Sequence, residues 1–267
     1  MDFDLYDKKD SLERTIGNQI WVMLFSGRMA IPPIPEIYPD LLSKDKIWVK
    51  LLVRITSPFD AKDFMIVRTR YFDITRDDDA WAYLPTIRRI RRFTGSDLQD
   101  PIMGTDHPTD DLEGWSQKLN PKIMSFKLLG KKDLLLPEYA PYEPITETEY
   151  KKGRAGGAFQ TNWIKRKCYV LQIDIHDPTY MYSRRILYLD AETGDFRINY
   201  EEMYDQEKRL WRTYMITFHQ SYIGRYQTII DHQTGHSTIT PMTNQKRDDP
   251  DMKPENFELR YFIKRGR

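Results

Sequence analysis

Between residues 165 and 242 the chain runs through six stretches of alternating apolar and polar residues: 165–176, 182–190, 195–204, 210–219, 222–230 and 236–242. Short turn signals separate most of them, at Asp177-Pro178, Glu192-Thr193-Gly194, Asp205-Gln206-Glu207 and Gln233-Thr234-Gly235. A period of two sends successive side chains to opposite faces, which suits a half-buried strand and not a helix. Connections this short cannot carry a parallel crossover, so neighbouring runs are expected to pair as an antiparallel meander.

The same pattern recurs upstream. Ile47, Val49, Leu51, Val53 and Ile55 alternate with Trp48, Lys50, Leu52, Arg54 and Thr56, and 65–71 reads as the neighbouring strand across Ser57-Pro58-Phe59-Asp60. Residues 80–84 and 87–93 are shorter strands broken at Pro85, and 124–136 is strand with a turn expected at Gly130-Lys131-Lys132. Ten or more strands in one sheet must curl or close to bury an apolar face. Helical signals are few. Residues 11–20 read as a helix capped by Ser11, ahead of a linker at Pro32, Pro33 and Pro35. The polar stretch 95–119, where Asp110 precedes Glu113 by three, reads as an excursion with short helices. Residues 137–157, with Gly153, Gly156 and Gly157, read as a long connection. One domain over 1–267 is expected, with 1–40 as its N-terminal helix, first strand and Pro-rich linker.

Composition removes several functions. Lys and Arg number 41 against 40 Asp and Glu, a net charge of +1 that lacks the broad basic footprint of a nucleic-acid binder. No run of eighteen apolar residues is present to span a membrane as a helix. Cys168 is the single cysteine, which excludes an internal disulfide, a thiolate zinc cluster and a CxxC pair. The acidic opening with Asp2, Asp4 and Asp7 is unlike a signal peptide, so the chain is expected either to be cytoplasmic or to start after a removed export signal.

No catalytic constellation assembles. The five histidines are scattered, no GxSxG elbow occurs, and the 153–157 glycines lack the Lys-Ser/Thr of a phosphate loop. Cys168 lies inside a strand and reads as a packed small hydrophobe. No metal, no cofactor and no enzymatic activity are expected. Asp77, Asp78 and Asp79 precede Arg88, Arg89, Arg91 and Arg92; these are expected to form structural ion pairs that fix the hairpin. The apolar strand faces carry the remaining signal. Tyr169, Leu171, Ile173, Leu187, Leu189, Tyr214, Ile216 and Phe218, with Leu51, Val53, Val67 and Tyr71, are expected to line a hydrophobic ligand trough; a plain core is the alternative.

Two stretches carry a family resemblance. One runs from Tyr71-Phe72-Asp73 through Asp77-Asp78-Asp79-Ala80-Trp81-Ala82-Tyr83-Leu84-Pro85 to Arg88-Arg89-Ile90-Arg91-Arg92 and Gly95-Ser96-Asp97-Leu98. The other runs from Tyr182-Ser183-Arg184-Arg185-Ile186-Leu187-Tyr188-Leu189-Asp190 through Tyr204-Asp205 to Leu210-Trp211-Arg212. Together they resemble an uncharacterised family of exported Gram-negative proteins labelled outer-membrane lipoprotein-sorting proteins, related to the Lol-type lipoprotein carriers. The resemblance implies a mainly β (α+β) fold, an unclosed, strongly curved antiparallel half-barrel whose short helices form a lid or plug. It also implies a periplasmic location, and partnership with a resistance-nodulation-division exporter and an outer-membrane barrel protein. The expected function is a carrier of a lipid or other hydrophobic molecule, with 95–119 as the lid. A non-carrying adaptor of an export complex and, third, an enzyme on hydrophobic substrates are the alternatives.

Overall fold

Each alternating stretch is strand over most of its described length, and strands also form at 2–6, 12–24 and 245–247. The computed structural model describes residues 2–25, 45–94, 97–112, 116–139, 162–193, 196–218, 224–242, 245–247, 249–258 and 260–261. The Pro-rich linker, the glycines at 153–157 and Glu113 of the expected capping box lie outside them. Fourteen strands occur among the described residues: β1 (Asp2–Tyr6), β2 (Leu12–Leu24), β3 (Ile47–Ser57), β4 (Met65–Tyr71), β5 (Asp79–Leu84), β6 (Arg89–Phe93) and β7 (Met124–Pro137), then β8 (Trp163–Ile175), β9 (Arg184–Asp190), β10 (Ile198–Tyr204), β11 (Leu210–Phe218), β12 (Gly224–Asp231), β13 (Ser237–Pro241) and β14 (Gln245–Arg247). The path of paired strands ends at β6 and β7 without closing, and β14 joins off it, parallel to β2. The fold is mainly β, antiparallel and unclosed.

The expected helix at 11–20 is part of strand β2. Ser11 does not cap a helix: the Asp7 carboxylate accepts the backbone N–H groups of Lys9 and Ser11, both at 2.8 Å, and so builds the turn between β1 and β2. Thr15, Ile16, Ile20 and Val22 are β-branched and fit a pleated surface better than a helix. The turn expected at Gly130 is also absent. Strand β7 runs through it with a register shift between Leu128 and Gly130, which the positive φ of Gly130 (126°) accommodates.

The residues group into two compact units. The first, 16–97 with 244–267, pairs its strands in the order β6-β5-β4-β3-β2. On one face Met23, Leu52, Met65, Val67 and Tyr71 pack with Phe257 from the short 3-10 turn Pro254–Phe257. On the other, Val53 and Ile66 face each other across β3 and β4, as do Leu51 and Arg68. Arg68 in turn faces Ala80 of β5, whose methyl group leaves the guanidinium room. Asp78, its side chain buried, accepts Arg68 at 2.6 Å and Arg70 at 3.0 Å.

The second unit, 2–15 with 98–243, follows the order β1-β13-β12-β11-β10-β9-β8-β7. One of its faces holds a cluster of Leu136, Cys168, Val170 and Tyr188. Among the described residues the excursion supplies three short 3-10 helices, Asp97–Gln99, Ile102–Gly104 and Thr109–Asp111. Asp110, within the last of these, accepts the Tyr180 hydroxyl at 3.2 Å.

The Asp78 site yields a stability test. Asp78→Asn strips two buried guanidinium groups of the carboxylate between them and should cost about 3–5 kcal/mol in urea unfolding. Asp77→Asn, at an exposed position, should change stability by less than about 0.5 kcal/mol.

Candidate functional site

Register decides which of the expected trough residues share a wall. In the first unit they do not. Leu52 faces Val67 across β3 and β4, and Leu51 faces Arg68, so Leu51 and Val53 lie on the opposite face from Val67 and Tyr71. The latter two belong to the core beneath Phe257. A one-residue offset between strands reverses every face assignment, and only the pairing reveals it.

In the second unit the expected face is real. Tyr169 faces Leu189, Leu171 faces Leu187 and Ile173 faces Arg185 across β8 and β9. Leu187 faces Glu201 on β10, which faces Tyr214 on β11, and Ile216 lies two residues further along that strand. Phe218, past a register shift, meets Tyr139 edge-on at 6.0 Å beneath the Arg197 guanidinium.

That face is not wholly apolar. Arg185, fully buried, is held between Asp111 of the excursion and Glu201 of β10, the latter at 2.8 Å. Asp111 also accepts the Tyr182 hydroxyl at 2.6 Å, and Arg212 donates to Tyr182 at 3.0 Å while pairing with Asp231 at 3.4 Å. Asp106 and Thr238 bond twice, each at 2.8 Å. Buried His107 lies 5.9 Å from both Phe3 and Tyr214, ring to ring, and neither ring nitrogen finds a partner among the described residues. Residues 98–112 therefore plug the β9–β13 part of the face with a buried polar network. Ile173, Leu187, Tyr214 and Ile216 are core beneath it. The sequence does carry a trace of this, because Arg185 and Glu201 interrupt stripes that are otherwise apolar, as buried paired charges do.

Among the described residues the plug does not extend over the β7–β8 end. Leu128 faces Leu171 and is 60% exposed, and Phe126 faces Ile173 and is 44% exposed. Tyr169, Leu171 and Leu189 are half-buried, and exposed Phe196 stands 5.8 Å from the Tyr169 ring. An apolar strip thus continues the filled face out to β7. Among the described residues, β7 pairs with β8 alone.

The Asp–Arg motif is only partly an internal set. Asp79 pairs with Arg92 at 2.8 Å, and Arg91 reaches Asp97 at 2.8 Å. Asp78 goes to Arg68 and Arg70 instead, and Asp77, Arg88 and Arg89 make no ion pair with described residues. Arg88 sits in the turn before β6 with a φ of 51°, outside the strand that carries Arg89, Arg91 and Arg92. Burial pushes the Cys168 thiol up to about 11, so it stays protonated and unreactive. Among the described residues no three His, Cys, Asp or Glu side chains gather as a metal site.

The model of a family described as protein of unknown function, DUF1329, matches residues 6–264. Three solved structures share the fold. A protein named as an outer membrane lipoprotein-sorting protein domain, from Vibrio parahaemolyticus, is 16% identical with a TM-score of 0.62, covering 98% of this chain and 89% of its own. A DUF1329 family protein from Desulfovibrio piger is likewise 16% identical at 0.62, covering 98% and 88%. A LolA superfamily protein from Nitrosomonas europaea is 12% identical at 0.55, covering 97% and 88%. No curated protein matches.

Two buried groups of the plugged face, Glu201 of β10 and His107 of the plug, oppose each other in pH. Burial raises the Glu201 carboxyl from 4.5 to about 7, so the folded protein takes up this proton first and gains stability as pH falls from about 7 to 4.5. Burial lowers His107 from 6.5 to about 3, so the unfolded chain takes up that proton first and stability is lost as pH falls through the same region. Each contributes a slope of about 1.4 kcal/mol per pH unit. Urea unfolding of the parent should therefore be nearly flat between about pH 6.5 and 5. Glu201→Gln should lose stability with acid over that range, and His107→Phe should gain it; a flat profile in both variants would refute the assignment.

Proposed function

The chain belongs to the DUF1329 family of proteins of unknown function, and from that premise we propose that it is a carrier that shields a lipid or other hydrophobic molecule in the bacterial periplasm. The observation that carries the reading is the apolar strip of Phe126, Leu128, Tyr169, Leu171 and Leu189, left open beside a face that is otherwise packed. A soluble chain gains nothing by keeping such a strip in water, and burying apolar surface against a ligand contributes about 25 cal/mol per Å² before association costs. The likeness of fold to a protein named for outer membrane lipoprotein sorting and to a LolA superfamily protein supports a cargo of this kind. Service to a resistance-nodulation-division exporter and an outer-membrane barrel protein completes the proposal.

The proposed mechanism is binding, not catalysis. The 98–112 excursion works as a fixed plug and not as a swinging lid, because opening it would separate Arg185 from Asp111 inside the protein. Cargo instead enters and leaves along the open strip.

The test compares the strip with the plugged face. Leu171→Glu and Leu128→Glu should each weaken binding of a fluorescent fatty acid about tenfold or more, with small changes in thermal midpoint, because both carboxylates can reach water. Ile173→Glu, at a fully buried site, should cost several kcal/mol of stability. A parent protein that binds no fatty-acid probe and carries no lipid through purification would overturn the carrier reading and favour the adaptor.

A further inference from the structure

The open strip has a charged end. Past the bulge in β7, Lys131 faces Tyr169, on the same face as Leu171 and Leu189. Lys131 is exposed, and its ammonium lies over the Tyr169 ring, 4.4 Å from the centroid. No carboxylate among the described residues pairs with it. Beyond it, Lys165 and Lys167 share the single carboxylate of Asp133, at 2.8 and 3.1 Å. The rim of the strip therefore holds three ammonium groups against the carboxylates of Asp133 and Glu192, the latter accepting the Lys167 backbone N–H at 3.1 Å. The other end, toward Phe126 and Ile173, is apolar.

Lysines on an outermost strand also discourage edge-to-edge pairing, and Lys127 and Lys132 suit that role, since they face Gln172 and Cys168 away from the strip. Lys131 differs because it is folded down onto an aromatic ring at the end of an apolar floor.

Resting on the carrier reading above, we propose that the cargo is a single-chain amphiphile with an anionic headgroup. Its tail lies along Leu171, Leu128 and Phe126, and its carboxylate or phosphate is held by Lys131, with Lys165 and Lys167 adding to the field. A charge-assisted contact with an ammonium that no carboxylate of the described residues neutralises favours an anion over a neutral head of the same chain length. The strip alone would accept either.

Displacement of Nile red, a neutral probe, tests this with ligands that share a palmitoyl chain. Palmitate and palmitoyl lysophosphatidate should displace it about tenfold better than monopalmitoylglycerol, and about 0.5 M salt should narrow the gap. Lys131→Glu should erase the preference, and Lys127→Glu, on the other face, should leave both the preference and monopalmitoylglycerol displacement unchanged. Inorganic phosphate alone should neither bind by calorimetry nor displace the probe. Equal affinity for the neutral and anionic lipids, or a preference that survives Lys131→Glu, would overturn the headgroup proposal and leave the carrier reading standing. Binding of free phosphate at Lys131 without a tail would also overturn it, by making the rim a plain anion site. Failure of every lipid to bind would instead sink both.

Discussion

Arg185 is the residue around which the second unit is organised. A guanidinium with no exposure to water is costly unless its charge is balanced, and here two carboxylates balance it from separate elements. Glu201 comes from the neighbouring region of the sheet and Asp111 from a stretch 74 residues earlier in the chain. Tyr182 and Arg212 extend the network to Asp231. Removing any one member leaves others buried and unpaired, so the network acts as a unit that holds residues 98–112 in one place.

This constraint explains how the sheet face divides. Where the network stands, the strands bury polar groups that need partners, and the excursion supplies them. Where it ends, toward β7 and β8, the same face is apolar and the excursion makes no comparable contact with it. A filled core and a binding surface are thus consecutive parts of one face, separated by the reach of a single short segment. The apolar part ends in turn at Lys131, Lys165 and Lys167, where the strands become charged.

The first unit uses the same device on a smaller scale. Arg68 and Arg70 lie on alternate positions of β4, Arg68 across from the small residue Ala80, and Asp78 pairs with both. Its neighbour Asp79 instead pairs with Arg92 and accepts the Tyr71 hydroxyl, while Asp77 is exposed. In both units a buried arginine takes a carboxylate from a connecting segment, and the pairing is what fastens that segment to its strands.

Most of the fold was legible in the amino-acid order, because strand formation depends on a local period of two and local turn residues. β3, β4, β5 and the meander from β8 to β13 follow from those alone. The N-terminal strands were harder to read, since Ser11 resembles a helix cap until Asp7 is seen to take its N–H group. The site was legible only in part. Alternation says that Tyr169, Leu171, Leu187 and Leu189 share a side, and pairing agrees; but alternation within each strand cannot say that Leu51 and Val67 part company, because that rests on how two strands align. Nor does local order reveal which face is plugged. The partner of Arg185 lies far away in the chain, and its identity rests on geometry that exists only once the sheet has formed. Period and turn chemistry, being local, determined the strands; register and long-range charge pairing, being tertiary, decided which of their faces is core and which is open.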